Sequence, residues 1–335
     1  MFIKKKKYKK PKLFKKILYT QKHKKKRNSI PFEILKLRYF FGIKLFFLFI
    51  LIIILNSFHK LPKTINVALC TMGKQENLYV KEFVNYYIKL GVEKIFIYDD
   101  NDPGTEKISD VIDSSYGKYV TIYENIKDRI KNQEDAFTEC YNSHKDNYDW
   151  FIMLDMDEFL VIVNNTLINY LLSPFFNECD FIRIHWIFAS NEDLVHYNNR
   201  SLFERFNKTK RKSGFTKSVI RGHIPNLTYQ VHHVKKSPIR NITCTNAGER
   251  IKPKEMSPSL VFKINIKNAY ILHFYSKSTE EFVKKYKRGY SNWPSNKKQF
   301  LRSKLRDYFL DNKKTKENVE YIEKELKVKV DDVYK

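Results

Sequence analysis

The 335-residue sequence contains no GxGxxG run and no GxxxxGK[ST] run, so neither of the glycine-rich phosphate cradles of dinucleotide oxidoreductases and P-loop enzymes is present. Cysteine is scarce. Cys70, Cys140, Cys179 and Cys244 show no CxxC and no Cys/His spacing of a zinc site, and buried thiols and bridges both fit them. Acids are nearly missing from the first 44 residues, where 17 Lys or Arg stand against Glu33 alone, so most of the chain's +26 sits on an N-terminal arm. Such an arm reads as a solvated tail, with nucleic-acid binding as the rival reading.

Residues 39–58 then supply a long apolar run in which Lys44 is the only charge. About twenty such residues span a bilayer core as a helix. The run lies far from Met1 and lacks a small-x-small cleavage site, which argues against a cleaved signal peptide. Basic residues on its N-terminal side orient it as a signal anchor, with residues 1–38 as a cytoplasmic tail, 59–64 as a short connection and the remainder in the secretory lumen. The expectation is a single-pass type II membrane protein of the Golgi or endoplasmic reticulum. A nucleic-acid reading leaves the apolar span unexplained. Asn164, Asn199, Asn207, Asn226 and Asn241 each open an Asn-x-Ser/Thr triplet, which is compatible with a lumenal domain.

The centre of the chain is residues 150–163, WFIMLDMDEFLVIV, where apolar residues flank Asp155, Asp157 and Glu158. The run has the length and composition of a strand buried on both faces, and carboxylates inside it need a cation, a proton or hydrogen-bond donors. On an extended backbone Asp155 and Asp157 point to one face and Met156 to the other, so one hard divalent ion fits between them. An EF-hand loop lacks its further oxygen ligand and glycine here. A phosphatase-type aspartyl nucleophile is a second rival. The plain alternative is a strand end whose acids cap the following turn.

Around this stretch strand and helix alternate. Strands are predicted at 65–70, 94–98, 120–123 and 151–154, and helices at 78–90, 106–113 and 131–144. The 78–90 helix carries an apolar stripe at Val80, Phe83, Val84, Tyr87 and Ile88 and closes on Gly91. The α/β pattern implies a mostly parallel sheet with helices on both faces, whose ligands bind beyond the carboxyl ends of the strands.

The residues also resemble a known group. QEN at 75–77, EFVNYYIKLGVEKIFIYDDND at 82–102, Gln133, FIMLDMDEFL at 151–160 and HFYSKSTEEFVKKYKRG at 273–289 together resemble GT-A fold glycosyltransferases, nearest to the family 92 and related family 2-like enzymes. The resemblance covers about 65–289 and implies a GT-A catalytic domain at 65–290 with a Lys-rich helical region, read as peripheral, at 291–335. It implies inverting transfer from a nucleotide sugar, such as a UDP-sugar, to a glycan or glycoconjugate, with Mn²⁺ or Mg²⁺. By it, Asp155, Asp157 and His273 hold the metal, and Thr71, Glu76, Asp99, Asp100, Lys277 and Arg288 hold the nucleotide sugar. Ser278 with Glu281 reads as a capping box opening the helix that carries Arg288. Residues 185–197, HWIFASNEDLVHY, depart from the family pattern. There Trp186 is a candidate acceptor platform and Glu192 or Asp193 a candidate base, against the plainer reading of core tryptophan and turn acids. His232 and His233 are adjacent and point apart on a strand, so a joint metal site is not expected.

Overall fold

The computed structural model describes residues 44–48, 50, 64–239, 241–289 and 297–333. The chain divides into two units, Met1–Pro62 and Lys63–Lys335. In the first, residues 44–48 and 50 are helical. The rest of the expected anchor at 39–58, and the arm before residue 44, lie outside the described residues. Among the described residues no helix is long and apolar enough to cross a membrane.

The second unit opens with the expected alternation. It runs β1 (Val67–Gly73), α1 (Asn77–Leu90), β2 (Lys94–Asp99), α2 (Ile108–Val111), β3 (Val120–Tyr123), α3 (Gln133–His144) and β4 (Trp150–Met153). Their order in the sheet is β3-β2-β1-β4, all parallel. Alternate strand residues face opposite layers. Val67 and Leu69 pack with Val80, Phe83, Val84 and Tyr87 of α1, whereas Ala68 and Cys70 pack with Ala136, Phe137, Cys140 and Tyr141 of α3. α1 stops where expected, because Gly91 adopts φ 103° and returns its N–H to the Tyr87 and Ile88 carbonyls. The predicted 106–113 helix shrinks to the single turn of α2.

The strand expected at 151–154 is present as β4, but the buried run over 150–163 does not continue as one strand. β4 ends at Met153, residues 156–157 form a turn, and β5 (Glu158–Ile162) begins a separate strand at the far edge of the sheet. The acids cause the break: the Asp155 N–H donates to Glu158 Oε2 at 3.0 Å, and the Glu158 N–H donates to the Asp155 carbonyl at 3.1 Å. Glu158 is thus the turn former of the plainer reading. Gly73 is needed beside this turn, since a Cβ there would stand 2.6 Å from Met156 Sδ.

The chain continues through α4 (Leu167–Leu171), β6 (Phe181–Ala189), α5 (Leu202–Arg205), β7 (Thr209–Arg221), β8 (Thr228–Gln230), β9 (His233–Lys236), β10 (Thr243–Thr245) and β11 (Ala269–His273). Antiparallel β7 joins β4 to β6, and the sheet proceeds β4-β7-β6-β11-β5, so it is mixed rather than wholly parallel. α6 (Thr279–Arg288) opens on the expected Ser278/Glu281 box, and α7 (Lys297–Asp311) and α8 (Lys316–Leu326) follow. All four cysteines are bridged. Cys70–Cys140 ties β1 to α3, and Cys179–Cys244 ties the entry of β6 to β10.

Candidate active site

A cavity of about 400 Å³ lies at the carboxyl ends of β1, β2 and β4. That size suits a small-molecule ligand. One wall consists of Lys74 and Glu76 after β1, Asp100 after β2, and the Asp155–Asp157 turn. A second wall is made by Trp186 and Phe188 of β6, Arg211 and Phe215 of β7, and His232. His273, Lys285 and Arg288 close one end, and Lys304, Asp307 and Asp311 of α7 complete it. The reading of residues after Gly289 as peripheral is therefore corrected, because α7 is part of the cavity.

Asp157 and His273, 116 residues apart in sequence, meet here, with Oδ1 and Nε2 separated by 3.4 Å. The register of the sheet explains it: β11 pairs antiparallel with β5, setting His273 opposite Glu158 and next to the turn. Lys285 Nζ, from α6, lies 2.5 Å from Asp157 Oδ2. Burial would raise the Asp157 carboxyl, but Lys285 and His273 outweigh it and hold the group well below the usual range. Burial lowers His273, and Asp157 offsets this only in part, so the ring is neutral at pH 7. A neutral imidazole beside an ionised carboxylate is a metal-competent pair, and cis ligands at about 2.1 Å from one ion stand roughly 3 Å apart.

Asp155 shares the turn and is held differently. Its Oδ1 accepts from Lys217 Nζ at 2.9 Å and from Gln133 Nε2 at 2.5 Å. Lys217 is fully buried on β7 and also stands 3.7 Å from Glu158 Oε2. Burial raises Asp155, Lys217 outweighs it, and the carboxyl titrates below its ordinary value. Burial pushes Glu158 well above the usual range, which Lys217 offsets only in part. Among the described residues no three His, Cys, Asp or Glu side chains converge on one point as a finished metal site. Two of the three expected ligands do meet, and the third retains a side chain 30% exposed. Glu158 Oε1 and His273 Nδ1 are buried without hydrogen-bond partners and face each other at 3.9 Å.

The other expected residues divide. Glu76 reaches the cavity, where burial raises it but Lys277 at 2.6 Å and Arg288 at 2.9 Å keep it ionised. Arg288 also donates to the Lys74 carbonyl, tying α6 to the loop after β1. Asp100 lines the cavity, and burial raises its carboxyl. Trp186 lines it too, stacked on Phe215 at 5.4 Å, with its Nε1 buried and unpartnered.

Five expected residues are not brought there. Thr71 is wholly buried within β1. Asp99 is consumed by the loop, accepting from the Asn101 and Ile108 N–H groups at 2.9 and 2.8 Å. Lys277 is buried over the Tyr79 ring at 3.9 Å, behind Glu76. Glu192 and Asp193 adopt φ 52° and 60° in a turn and pair outward with Lys208 at 2.8 Å and Lys313 at 3.3 Å. That turn is fastened to α7 through Asn191, whose N–H and amide donate to Asn312 and Tyr308.

Several cavity residues went unread in the sequence. Lys285 is three residues before Arg288 on one helix, a spacing that puts both on one face and was available as a signal. A lysine inside the apolar end of a strand, Lys217, which holds Asp155 without lining the cavity, was a similar hint. Arg211, Lys304 and Asp307 carried no local signal. His232 lines the cavity and His233 does not, consistent with side chains that diverge.

Set beside known proteins, the sequence matches glycosyltransferase family 92 over residues 63–312. The chain belongs to glycosyltransferase family 92. A family 92 protein of Oryza sativa subsp. japonica is 32% identical over 123 residues, covering 35% of this chain and 20% of that protein. A family 92 protein of Ricinus communis is 32% identical over 93 residues, 28% of this chain and 16% of that one. The matched stretch thus spans a fifth or less of these relatives. Mannosyl-3-phosphoglycerate synthase from Rubrobacter xylanophilus aligns at 15% identity over 40% of this chain and 44% of that chain, with a TM-score of 0.27, too slight a likeness to carry an argument.

Proposed function

We propose that this chain is a metal-dependent, inverting glycosyltransferase moving a sugar from a nucleotide-sugar donor, such as a UDP-sugar, to a glycan or glycoconjugate acceptor. The observation that carries the reading is the meeting of Asp157, His273 and Lys285 at the carboxyl edge of a family 92 sheet. Asp155, Asp157 and His273 would hold Mn²⁺ or Mg²⁺, and the imidazole suits Mn²⁺ better than the harder Mg²⁺. When bound, the cation neutralises charge developing on the leaving diphosphate. Lys285 and Arg288 place further positive charge on the same side of the cavity. Asp100, which lines the cavity after β2, would accept from ribose hydroxyls. Trp186 and Phe215 offer a flat apolar face of the kind on which a sugar ring stacks.

The location proposed is a lumenal catalytic domain of a type II protein in the Golgi or endoplasmic reticulum. Bridging of both cysteine pairs supports an oxidising compartment. Exposure of Asn164, Asn199, Asn207 and Asn226 is in keeping with it, while the Asn241 amide nitrogen is buried. Nucleic acid is not a proposed partner, since a nucleic-acid reading of the basic arm leaves the apolar run at 39–58 unexplained.

The test is to incubate the purified full-length chain with UDP- and GDP-sugars and simple glycoside acceptors, with and without Mn²⁺. Transfer that requires the metal is expected. Nucleotide or glycan binding with no transfer from any donor would instead mark a catalytically inactive glycan-binding relative.

A further inference from the structure

Transfer to a hydroxyl requires a proton acceptor, and the turn at Glu192 and Asp193 does not supply one to the cavity. The carboxylates that line it are Glu76, Asp100, Asp155, Asp157, Asp307 and Asp311. Most are committed. Glu76 is clamped by Lys277 and Arg288, Asp155 by Lys217 and Gln133, and Asp157 by Lys285 and His273. Asp311 is 2% exposed, and both its oxygens accept from Arg211, at 2.8 and 2.9 Å. Only Asp100 and Asp307 have no hydrogen bond or ion pair to the carboxylate among the described residues.

These two stand on different sides. Asp100 is at the end of β2 with Lys74, Lys127, Asp102 and Asp99 as its charged neighbours, from the end of β2 and the segments that follow β1, β2 and β3, on the proposed nucleotide side. Asp307 is on α7, one turn before Asp311, and its charged neighbours are Lys304, Arg211 and Asp311. Arg211 lies 4.6 Å over the Phe188 ring, which is stacked on His273 at 5.4 Å, so the guanidinium that neighbours this carboxylate links it to the rings beside the proposed metal ligand.

We infer that Asp307 is the general base for the acceptor hydroxyl. The acceptor O–H gives its proton to the Asp307 carboxylate while the oxygen bonds the anomeric carbon. The bond from that carbon to the diphosphate oxygen breaks, and the diphosphate leaves with the electron pair. Burial raises the Asp307 carboxyl above its ordinary value, with Lys304 and Arg211 opposing, which moves it toward the basicity that proton abstraction near neutral pH favours. The missing signal in the sequence is thereby explained: the base comes from a helix 150 residues beyond Asp157, within the family match that ends at residue 312.

The inference rests on the transferase reading, and the test separates the two. The full-length chain, Asp307→Asn, Asp307→Glu and Asp100→Asn are assayed with Mn²⁺ against UDP-galactose, UDP-glucose, UDP-N-acetylglucosamine and GDP-mannose, with methyl glycosides and lactose as acceptors. UDP and GDP binding are measured by calorimetry. Asp307→Asn is expected to bind the nucleotide within about twofold of the unsubstituted chain while transfer falls about 10²–10⁴-fold. Its residual rate should lose the acid limb of the pH profile, and Asp307→Glu should recover part of the rate. Transfer by Asp307→Asn within about threefold of the unsubstituted chain, or its loss in Asp100→Asn alone, would overturn the base assignment and leave the transferase reading intact. Absence of transfer by the unsubstituted chain would sink both.

Discussion

The two long walls of the cavity hold their charges by different means. On the wall built by residues 74–158, Glu76, Asp155 and Asp157 already have cations at hydrogen-bond distance, each delivered by a remote strand or helix. Asp100 is the exception. The wall built from β6, β7 and α7 is dominated by rings, Trp186, Phe188, Phe215 and His232, and its carboxylate without a partner among the described residues is Asp307. A wall of compensated charges is electrically set before a ligand arrives, which favours an anionic group at low reorganisation cost. An aromatic wall offers contact with the apolar face of a neutral sugar and leaves one group able to accept a proton.

The contrast is broken most severely at Asp157. Asp157→Asn keeps the shape but removes the charge that Lys285 and His273 share, so transfer should fall about a thousandfold or more, equivalent to about 4 kcal/mol of barrier, with the far-ultraviolet dichroism unchanged. Activity within tenfold of the unsubstituted chain would show that this wall does not serve the chemistry.

Lys217 carries the next effect, on stability. Lys217→Met leaves Asp155 without its buried cation, and breaking a buried pair costs about 3–5 kcal/mol. Denaturant midpoints read this directly. A change under about 1 kcal/mol would mean that the charge beneath Asp155 is not compensated as the geometry implies.

Stability has a pH dependence of its own at His232, which lines the cavity, and at its neighbour His233. Burial, then Lys217, depresses His232 to about 3, and burial, then Arg183, depresses His233 to about 4. Both folded values lie below the unfolded value of about 6.5. The unfolded chain therefore binds protons first, and stability present above about pH 6.5 is lost as the pH falls toward 3–4. The double variant His232→Gln, His233→Gln should lose less stability between pH 7 and pH 4.5 than the unsubstituted chain. Parallel losses in the two proteins would remove these rings from the account.

Asp100→Asn should give the smallest effect. It is expected to raise the donor KM several-fold, about 1 kcal/mol for one lost hydrogen bond, with kcat nearly unchanged. A fall in kcat with KM unchanged would move Asp100 from ribose recognition to the reacting centre.

The same two regions differ in how far the sequence foretold them. Val80, Phe83, Val84 and Tyr87 announced α1, and Gly91 its end, because helix spacing and a left-handed cap are written within a dozen residues. Residues 150–163 misled over shape. The strand predicted at 151–154 is β4, but the apolar residues after the acids open a separate strand, because the acids sit at a turn in which Glu158 accepts from the Asp155 N–H. His273 was placed as a ligand by resemblance alone, since only the β11–β5 register brings it to Asp157. Arg211 and Asp307 were out of reach for the same reason: each is placed by contact between segments distant in sequence. Glu192 and Asp193 looked like a base pair in a string of letters, but their left-handed turn fastens α7 through Asn191 instead.

The central claim is that Asp157 and His273 are two ligands of one divalent ion. Electron paramagnetic resonance of Mn²⁺ added to the full-length chain with UDP, alongside His273→Ala and a thermal melt of each, tests it most directly. The account predicts bound Mn²⁺ in the unsubstituted protein and affinity weakened about tenfold or more in His273→Ala, weakening further in both as the pH falls, with little change in the melt. A His273→Ala protein that melts earlier yet takes up Mn²⁺ as the unsubstituted chain does would contradict it and return His273 to the core.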